Sequence, residues 1–328
     1  MMQTILNKIG RIGGCIALSF VAMLLSQAAY ALDCVEKGTN VVNKPGIPIG
    51  QLAIPSNIAP GTKIWESRDI TVTAYCDNVL GSVYDQVWFY FNPLGQSLGP
   101  GLQLGVNYLG QDLQANAARL NTNTSPITSG QNVTVTVTFR LYIKVTNDLP
   151  SSGNYIGTDS FTVFQLDGSG GINVTAGAKN LKYTLSGLSI VRFIPCGADL
   201  VISPASQVVN FGSFNQARLL SSNNNLSRPF SITAIKQGCL ANFSIQAQFL
   251  TANPLVGDNA IDLQNGIKLT IYDDKNQAIV YNRYADFAQL NNITQVTRNY
   301  TARLNAIEGQ PIKLGQFDAT AIIKINYY

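Results

Sequence analysis

Alternation of apolar and polar residues is the dominant pattern along this chain. In the clearest segment, Val133–Val145, apolar side chains at odd positions alternate with threonine, arginine, tyrosine and lysine at even positions. Successive side chains of a strand point to opposite faces, so this period predicts a β-strand with one buried face. The same period predicts strands at Ile70–Cys76, Phe243–Phe249 and Ile267–Tyr272, and an aromatic run predicts one at Val87–Phe91.

Turn signals separate these segments, and helical periodicity is weak throughout. Asp112–Leu120 is the one stretch where we expect one or two helical turns. Many short strands between clusters of glycine, asparagine, serine and proline predict an all-β chain of two β-sandwiches. A length of 328 residues also suits two domains better than one. We place the boundary near Phe193–Pro195, just before Cys196.

The first 31 residues have the pattern of a secretory signal peptide. Lys8 and Arg11 form a basic region, Ile12–Leu25 is an apolar run, and Ala29–Ala31 provides a cleavage site with small residues at both ends. The competing interpretation is a membrane anchor, but glycines interrupt the run, which is short for the roughly 20 apolar residues of a span. We therefore expect a mature chain beginning at Leu32, without a transmembrane anchor.

Export places the cysteines in an oxidising compartment. Four cysteines follow the predicted cleavage site, namely Cys34, Cys76, Cys196 and Cys239. Four cysteines allow three pairings, and the simplest is one disulfide in each domain, Cys34–Cys76 and Cys196–Cys239. A C-x-x-C motif is missing from the sequence, which argues against a thioredoxin-type site or a zinc ribbon.

Composition narrows the function classes. Histidine is absent, which excludes Ser-His-Asp and Cys-His catalysis and histidine metal sites. Hydrophobic residues make up 46% and charged residues 12%, which argues against disorder, and a net charge of +4 gives no strong attraction to nucleic acid. No motif indicates a carboxylate-pair glycosidase, and Asp167–Gly171 lacks the spacing of a calcium or phosphate loop, so a hairpin turn is predicted there. We expect no enzyme activity, cofactor or metal.

The C-terminus carries the most specific pattern. Gly315 is the fourteenth residue from the end and Tyr327 the penultimate one, and apolar residues alternate from Phe317 onward. With Cys196 and Cys239, this resembles the pilin domain of chaperone–usher fimbriae. The resemblance implies an incomplete immunoglobulin-like sandwich whose missing strand comes first from a periplasmic chaperone and then from the next fimbrial subunit, with an outer-membrane usher as a further partner. The implied groove residues are Gly315, Phe317, Ala319, Ala321, Ile323, Ile325 and Tyr327.

The N-terminal half resembles the lectin heads of two-domain tip adhesins, those of type 1 mannose-binding and type 3 fimbriae. The similarity rests on Cys34 and Cys76, on Ile47–Gly50 and on the turn Cys76–Asn78. The resemblance implies a jelly-roll or immunoglobulin-like lectin fold. The expected domains are a signal peptide (1–31), a receptor-binding domain (32–193) and a pilin domain (194–328). Because Cys34 is the third residue after the predicted cleavage site, no arm is expected that could be donated, which predicts a position at the fibre tip.

Sugar recognition needs carboxylates and amides for hydroxyl groups, and aromatic rings for the apolar sugar face. By resemblance, Asp85 corresponds to a hydroxyl-accepting aspartate, and Leu32 to the N-terminal residue at the site. The loop 147–159 corresponds to its amide and carboxylate partners. Trp65 and Trp88 are interpreted as core residues. The candidate ligand residues are Leu32, Asp77, Asp85, Asn147, Asp148, Asn154, Tyr155 and Asp159.

The function predicted from the sequence is that of a tip adhesin. The chain would pass through the periplasm to the fimbrial tip at the cell surface and bind a host glycan or matrix glycoprotein. The alternative is a structural fimbrial subunit or tip adaptor without a receptor site.

Overall fold

The computed structural model describes residues 32–78, 84–114, 119–173, 177–221 and 226–328. The predicted signal peptide, 1–31, lies outside these residues. Within them the chain is almost entirely β, with one short helix, α1 (Gln216–Leu220), and one 3-10 turn at Leu188–Ile190. The predicted all-β, two-domain sandwich class is confirmed. None of the helices in the described ranges has the length and apolar character that a membrane span requires.

The strands fall into two groups along the chain. The N-terminal group is β1 (Asp33–Glu36), β2 (Asn43–Pro48), β3 (Leu52–Pro55), β4 (Lys63–Glu66), β5 (Ile70–Asp77), β6 (Trp88–Phe91), β7 (Leu102–Tyr108), β8 (Gln111–Gln114), β9 (Arg119–Asn121), β10 (Asn132–Val145), β11 (Gly153–Asn154), β12 (Ser160–Asp167), β13 (Lys182–Ser186) and β14 (Val191–Ile194). The C-terminal group is β15 (Ala198–Ser203), β16 (Ser227–Lys236), β17 (Ser244–Leu250), β18 (Leu255–Val256), β19 (Ala260–Asp262), β20 (Ile267–Tyr272), β21 (Tyr284–Gln289), β22 (Gln295–Ala306) and β23 (Ile322–Tyr327).

The N-terminal domain consists of two main sheets over an aromatic core. One sheet has the order β1-β5-β10-β7-β8, with β4 also pairing β10, and the other has the order β2-β13-β12-β6-β9. A small third sheet, β11-β14-β3, lies beside them. The inward faces interlock through Phe89, Phe139 and Phe164, whose ring centroids are 4.5–6.0 Å apart. Aromatic pairs at these separations add specific stabilisation to their buried area.

Strand β10 confirms the alternation pattern and sets the long axis of the domain. Its inward residues from Val135 onward are buried, while the threonines opposite them are exposed. One end pairs Asn132 with Asp77, and the other end pairs Ile143 with Trp65. At about 3.3 Å per residue, these fourteen residues span roughly 43 Å. We call the Asp77 end the distal end, because the other end lies next to the C-terminal domain.

The C-terminal domain has its own two sheets and its own core. The six-stranded sheet has the order β15-β16-β22-β20-β19-β18, and the three-stranded sheet has the order β21-β17-β23. Buried residues such as Ile232, Phe243, Ile245 and Leu304 belong to a hydrophobic cluster separate from that of the N-terminal sheets. The pairing therefore changes from one set of sheets to the other between Ile194 and Ala198.

Both expected disulfides are confirmed. Cys34 and Cys76 are directly opposite each other on β1 and β5, with their Cα atoms 4.1 Å apart. Cys196 and Cys239 join the chain just before β15 to the turn after β16. Each bond therefore closes a loop inside one domain, as the simplest pairing predicts.

Two predictions about local structure are wrong. Asp112–Leu120 is not helical where it is described, because Gln111–Gln114 and Arg119–Asn121 form β8 and β9 and pair with β7 and β6. Pairing with neighbouring strands overrides a weak helical tendency there. The final strand also begins at Ile322 rather than Phe317. Its partner β17 ends at Leu250, opposite Ile322, so the preceding residues have no strand to pair with.

Side chains connect the two domains beside the final strand. The Nζ atom of Lys324 on β23 is 2.6 Å from a carboxylate oxygen of Glu66 on β4. Arg192 donates to the backbone oxygen of Tyr328 at 3.1 Å. The amide of Asn57 donates to Gln237 at 2.6 Å. The junction is therefore a hydrogen-bonded contact as well as a covalent connection.

Candidate functional site

A groove runs along the C-terminal domain between two unfinished sheet edges. Strand β15 pairs only with β16, and β23 pairs only with β17, so in the described structure each has one edge without a strand partner. Between them lies a cavity of about 1050 Å³. Edge strands present unpaired backbone N–H and C=O groups, which favour pairing with another extended chain.

The floor of this groove is apolar and is supplied by both sheets. Its strand residues include Ile202, Phe230, Phe249, Ile271, Ala302, Leu304 and Ile323. Segments outside the strands add Phe214 and Phe317, whose ring centroids are 5.8 Å apart. A chain with apolar side chains at alternate positions would satisfy the backbone edges and cover this floor at the same time.

The predicted groove residues divide into two sets. Gly315, Phe317, Ala319, Ala321 and Ile323 line the cavity. Ile325 and Tyr327 do not line it and instead pack against the core of the domain. The Tyr327 ring meets Phe243 with centroids 5.5 Å apart, and its hydroxyl donates to the backbone oxygen of Ala198 at 3.1 Å. Tyr327 therefore fixes the end of β23 against the start of β15.

A second site lies at the distal end of the N-terminal domain, around the buried carboxylate of Asp167. This carboxylate accepts hydrogen bonds from four N–H groups. Its donors are the backbone N–H groups of Gly168 and Asn173, at 2.8 and 2.6 Å, and the amides of Gln165 and Asn180, at 2.8 and 2.7 Å. Burial raises the pKa of Asp167, and the nearby charge of Asp85 acts in the same direction, while these donors oppose both effects.

Asp85 joins this cluster through the turn after β12. One carboxylate oxygen accepts from the backbone N–H groups of Ser169, at 2.7 Å, and Gln86, at 2.8 Å. The side chain is only 5% exposed. The backbone of Asp85 pairs with that of Ile127, and the backbone oxygen of Ile127 also accepts from the side-chain amide of Asn78. These contacts fix Asp85 beside the end of β5. We call Asp85, Gln165, Asp167 and Asn180 the distal polar cluster.

The distal polar cluster contains more acceptor oxygens than donors. Oδ2 of Asp85, Oε1 of Gln165 and Oδ1 of Asn180 are buried and have no hydrogen-bond partner among the described residues. An unpaired buried polar atom costs about 1–3 kcal/mol. The missing partners are hydrogen-bond donors, which a hydroxyl group or a water molecule can supply. The residues that the structure describes contain no group of three or more histidine, cysteine, aspartate or glutamate side chains that could hold a metal ion.

The structure does not bring the predicted ligand residues together. Leu32, Asp77 and Asp85 lie at the distal end, since β1 pairs with the end of β5. Leu32 is fully buried and Asp77 half-buried. The loop 147–159 follows the opposite end of β10, and its Gly153–Asn154 pairs with β14 next to the junction. The two groups of predicted ligand residues therefore do not meet in one site.

The loop residues have local roles at the junction end. Asn147, Asp148 and Asn154 are exposed, and Asp148 has a positive φ of 70°. Tyr155 is buried, which raises its pKa, and its hydroxyl has no partner in the described chain. Asp159 accepts from the backbone N–H of Ser189 at 3.0 Å, and hydrogen bonds from Ser189 lower its pKa.

Sequence reasoning missed Gln165, Asp167 and Asn180. Gln165 and Asp167 lie in a strand whose residues are otherwise mostly apolar and buried. Two polar residues at the end of such a strand indicate a buried polar cluster, because buried polar groups require hydrogen-bond partners. Asp167 was instead considered only as part of a turn.

Comparison with known proteins finds a family similarity in the C-terminal domain. Residues 199–328 match the model of the fimbrial protein family. The chain is also similar in structure to the CupB6 tip adhesin from Pseudomonas aeruginosa, with 15% identity over 90% of this chain and 94% of that chain, and a TM-score of 0.31. The CsuC–CsuE chaperone–tip adhesion subunit complex of Acinetobacter baumannii shows 14% identity over 89% of this chain and 99% of that chain, with a TM-score of 0.28. The P pilus rod subunit PapA shows 16% identity over 41% of this chain and 99% of that chain, with a TM-score of 0.32.

Proposed function

We propose that this fimbrial subunit, whose C-terminal domain matches the fimbrial protein family, is an adhesin at the tip of a chaperone–usher fimbria. Its C-terminal domain accepts a strand from a periplasmic chaperone and then from the next subunit. Its N-terminal domain binds a host glycan or glycoprotein through the distal polar cluster. In this proposal the receptor-binding domain extends from residue 32 to about 193 and the pilin domain from 194 to 328.

The groove is the observation that supports strand acceptance. Two free sheet edges face an apolar cavity whose lining includes most of the alternating C-terminal residues. An extended partner strand would pair with the edges and place its alternate side chains on the apolar floor. Leu314, which lines the cavity and is 86% exposed, would gain cover from such a partner.

The surplus of buried acceptors supports glycan binding. Sugar hydroxyl groups donate hydrogen bonds, and carboxylate and amide oxygens accept them in pairs. The cluster offers three unpaired oxygens on side chains that are at most 5% exposed, beside the exposed turn residues Ser169 and Gly170. A glycan would therefore enter over this turn.

The location of the cluster supports a position at the fibre tip. It lies at the end of the N-terminal domain away from the groove, so a receptor would meet it first. After cleavage behind Ala31, only Leu32 would precede β1, which leaves little chain for donation to another subunit.

Adhesion by fimbriated cells carrying Asp85→Ala or Asp159→Ala tests the receptor site. Asp85→Ala should weaken receptor binding about tenfold or more, because a hydrogen bond to a charged group contributes about 1.5–3 kcal/mol. Asp159→Ala, at the opposite end, is the matched control and should bind as the wild type does. Fibre length and the melting temperature of the N-terminal domain show whether folding and assembly are preserved, and Asp85→Asn separates loss of charge from loss of packing.

Two outcomes would contradict the site. Normal adhesion by Asp85→Ala fimbriae would move the receptor site away from the cluster. Loss of adhesion in Asp159→Ala alone would move it to the junction end. If the full chain binds no member of a glycan or matrix-protein array, the alternative function, a structural subunit or tip adaptor, replaces the adhesin.

A further inference from the structure

Arg119 lies beside the distal polar cluster in a fixed orientation. Its guanidinium carbon is 4.9 Å from the centre of the Trp88 ring, a distance at which a cation is attracted to the ring face. One guanidinium nitrogen donates to the backbone oxygen of Ser169 at 2.7 Å. The ring and the hydrogen bond hold the side chain in place, although the residue is exposed to solvent.

This guanidinium has no carboxylate partner. All 18 aspartate and glutamate residues of the sequence fall within the described ranges, and none of the ion pairs found there involves Arg119. Its hydrogen-bond partners in the described chain are neutral, namely the backbone oxygen of Ser169 and the side chain of Tyr90. A guanidinium group has five N–H donors in a rigid fork that matches the oxygens of a carboxylate or sulfate. Most of these donors are therefore directed to solvent.

Ser169 connects Arg119 to the cluster. Its backbone oxygen accepts from Arg119, and its backbone N–H donates to Asp85. Two hydrogen bonds and the width of one residue place the guanidinium at most about 9 Å from the Asp85 carboxylate. A ligand that fills the cluster over the Ser169 turn would reach Arg119 with its next group.

We propose that the ligand of this site is an acidic glycan, whose hydroxyl groups bind the distal polar cluster and whose carboxylate or sulfate binds Arg119. This inference rests on the proposed function, because it assumes that the distal end binds a glycan. A guanidinium that is already immobilised loses little conformational freedom on binding an anion, which favours affinity.

A purely internal role for Arg119 would be to neutralise the two buried carboxylates. The contacts argue against it, because Asp85 and Asp167 are held by N–H donors of other residues and Arg119 touches neither of them. Trp88 lies on β6, directly opposite Asp167 on β12, and its ring, rather than a carboxylate, is the group that the Arg119 guanidinium contacts.

Binding of the full chain to matched oligosaccharides tests the proposal. The probes are immobilised neutral hexose oligosaccharides and their sulfated and hexuronic-acid counterparts. We expect an acidic member to bind about tenfold or more tightly than its neutral counterpart, as one charge-assisted pair predicts. Arg119→Ala should reduce this preference to less than about threefold, and raising the salt concentration should weaken binding of the acidic probe more than binding of its neutral counterpart.

Two variants sharpen the test. Arg119→Lys keeps the charge but loses the planar fork, and should retain only part of the preference. Arg68→Ala removes another exposed arginine, just after β4 and towards the junction, and should change nothing. Equal binding of neutral and acidic probes, or an acidic preference that survives Arg119→Ala, would overturn the inference while leaving the adhesin proposal in place. Binding to no probe of either kind would overturn the inference, and the wider glycan and matrix-protein array would then decide the adhesin proposal.

Discussion

In the C-terminal domain the unsatisfied groups are backbone edges along β15 and β23, above an apolar floor. In the N-terminal domain they are side-chain oxygens gathered at one end of closely packed sheets. Both arrangements leave polar atoms unpaired, but the first extends along a strand and the second is confined to a few residues. The first is therefore complementary to another polypeptide, and the second to a small polar group such as a sugar.

Adding a strand should affect the two domains very differently. A peptide with apolar residues at alternate positions should raise the melting temperature of the C-terminal domain and leave the N-terminal transition unchanged. At a concentration 1,000 times its dissociation constant, such a peptide raises the free energy of unfolding of the domain that binds it by about 4 kcal/mol. Calorimetry of the full chain would measure both transitions, with a peptide carrying aspartate at the apolar positions as control. A C-terminal domain that resists protease equally well without a strand would contradict the incomplete sandwich.

Removing each disulfide should affect the domains equally. Cys34–Cys76 and Cys196–Cys239 span 42 and 43 residues, and for loops of this length the entropy model predicts about 4 kcal/mol each. Double alanine variants at each pair, unfolded by denaturant, should therefore each lose about this much stability in their own domain. A loss that spreads to the other domain would show that the two domains unfold together.

In mildly acidic solution, the pH effect of Asp167 should appear in the N-terminal transition. Asp167 has a raised pKa in the folded state, caused mainly by burial, so the folded state binds more protons than the unfolded state above pH about 3.9. The contribution of Asp167 to the free energy of unfolding should consequently fall as pH rises from that value through the folded pKa. Asp167→Asn should flatten this slope, and the C-terminal transition serves as internal control. Stability that rises with pH over this window in the wild type, relative to Asp167→Asn, would contradict the assignment.

The smallest expected effect is at the junction. The ion pair between Lys324 and Glu66 joins side chains that are each 29% exposed, so solvent screens it and a coupling of about 1 kcal/mol or less is expected. A double-mutant cycle with Lys324→Ala and Glu66→Ala would measure it. Zero coupling would mean that the domains contact each other without stabilising each other.

Alternation along the sequence was sufficient to predict the strands, because one buried face imposes a period of two. The strands β5, β10, β17 and β20 follow their predicted positions within a residue or so. The cysteine spacing was likewise sufficient for the disulfides. Both patterns are local or nearly so, which is why one sequence reveals them.

The proposed receptor site could not be assembled from the sequence. Asp85 and the loop after Asn147 are both polar and punctuated by turns, but β10 places them at opposite ends of the domain. Gln165 and Asp167 share one face of β12, but Asn180 meets them only because β12 and β13 pair and the chain turns back between them. Such proximity depends on strand register, which residue type alone does not specify.

The contact between β23 and the N-terminal domain has a mechanical consequence. Tension applied through a strand seated in the groove would act directly on β23, and Lys324 would transmit part of it to Glu66 in parallel with the covalent connection at Pro195. Glu66 belongs to β4, which is hydrogen-bonded to β10, and β10 extends to the distal end. A pull would therefore break the weak side-chain contacts at the junction first. The backbone would then carry the remaining force, with the long strand acting as a stiff rod towards the distal end.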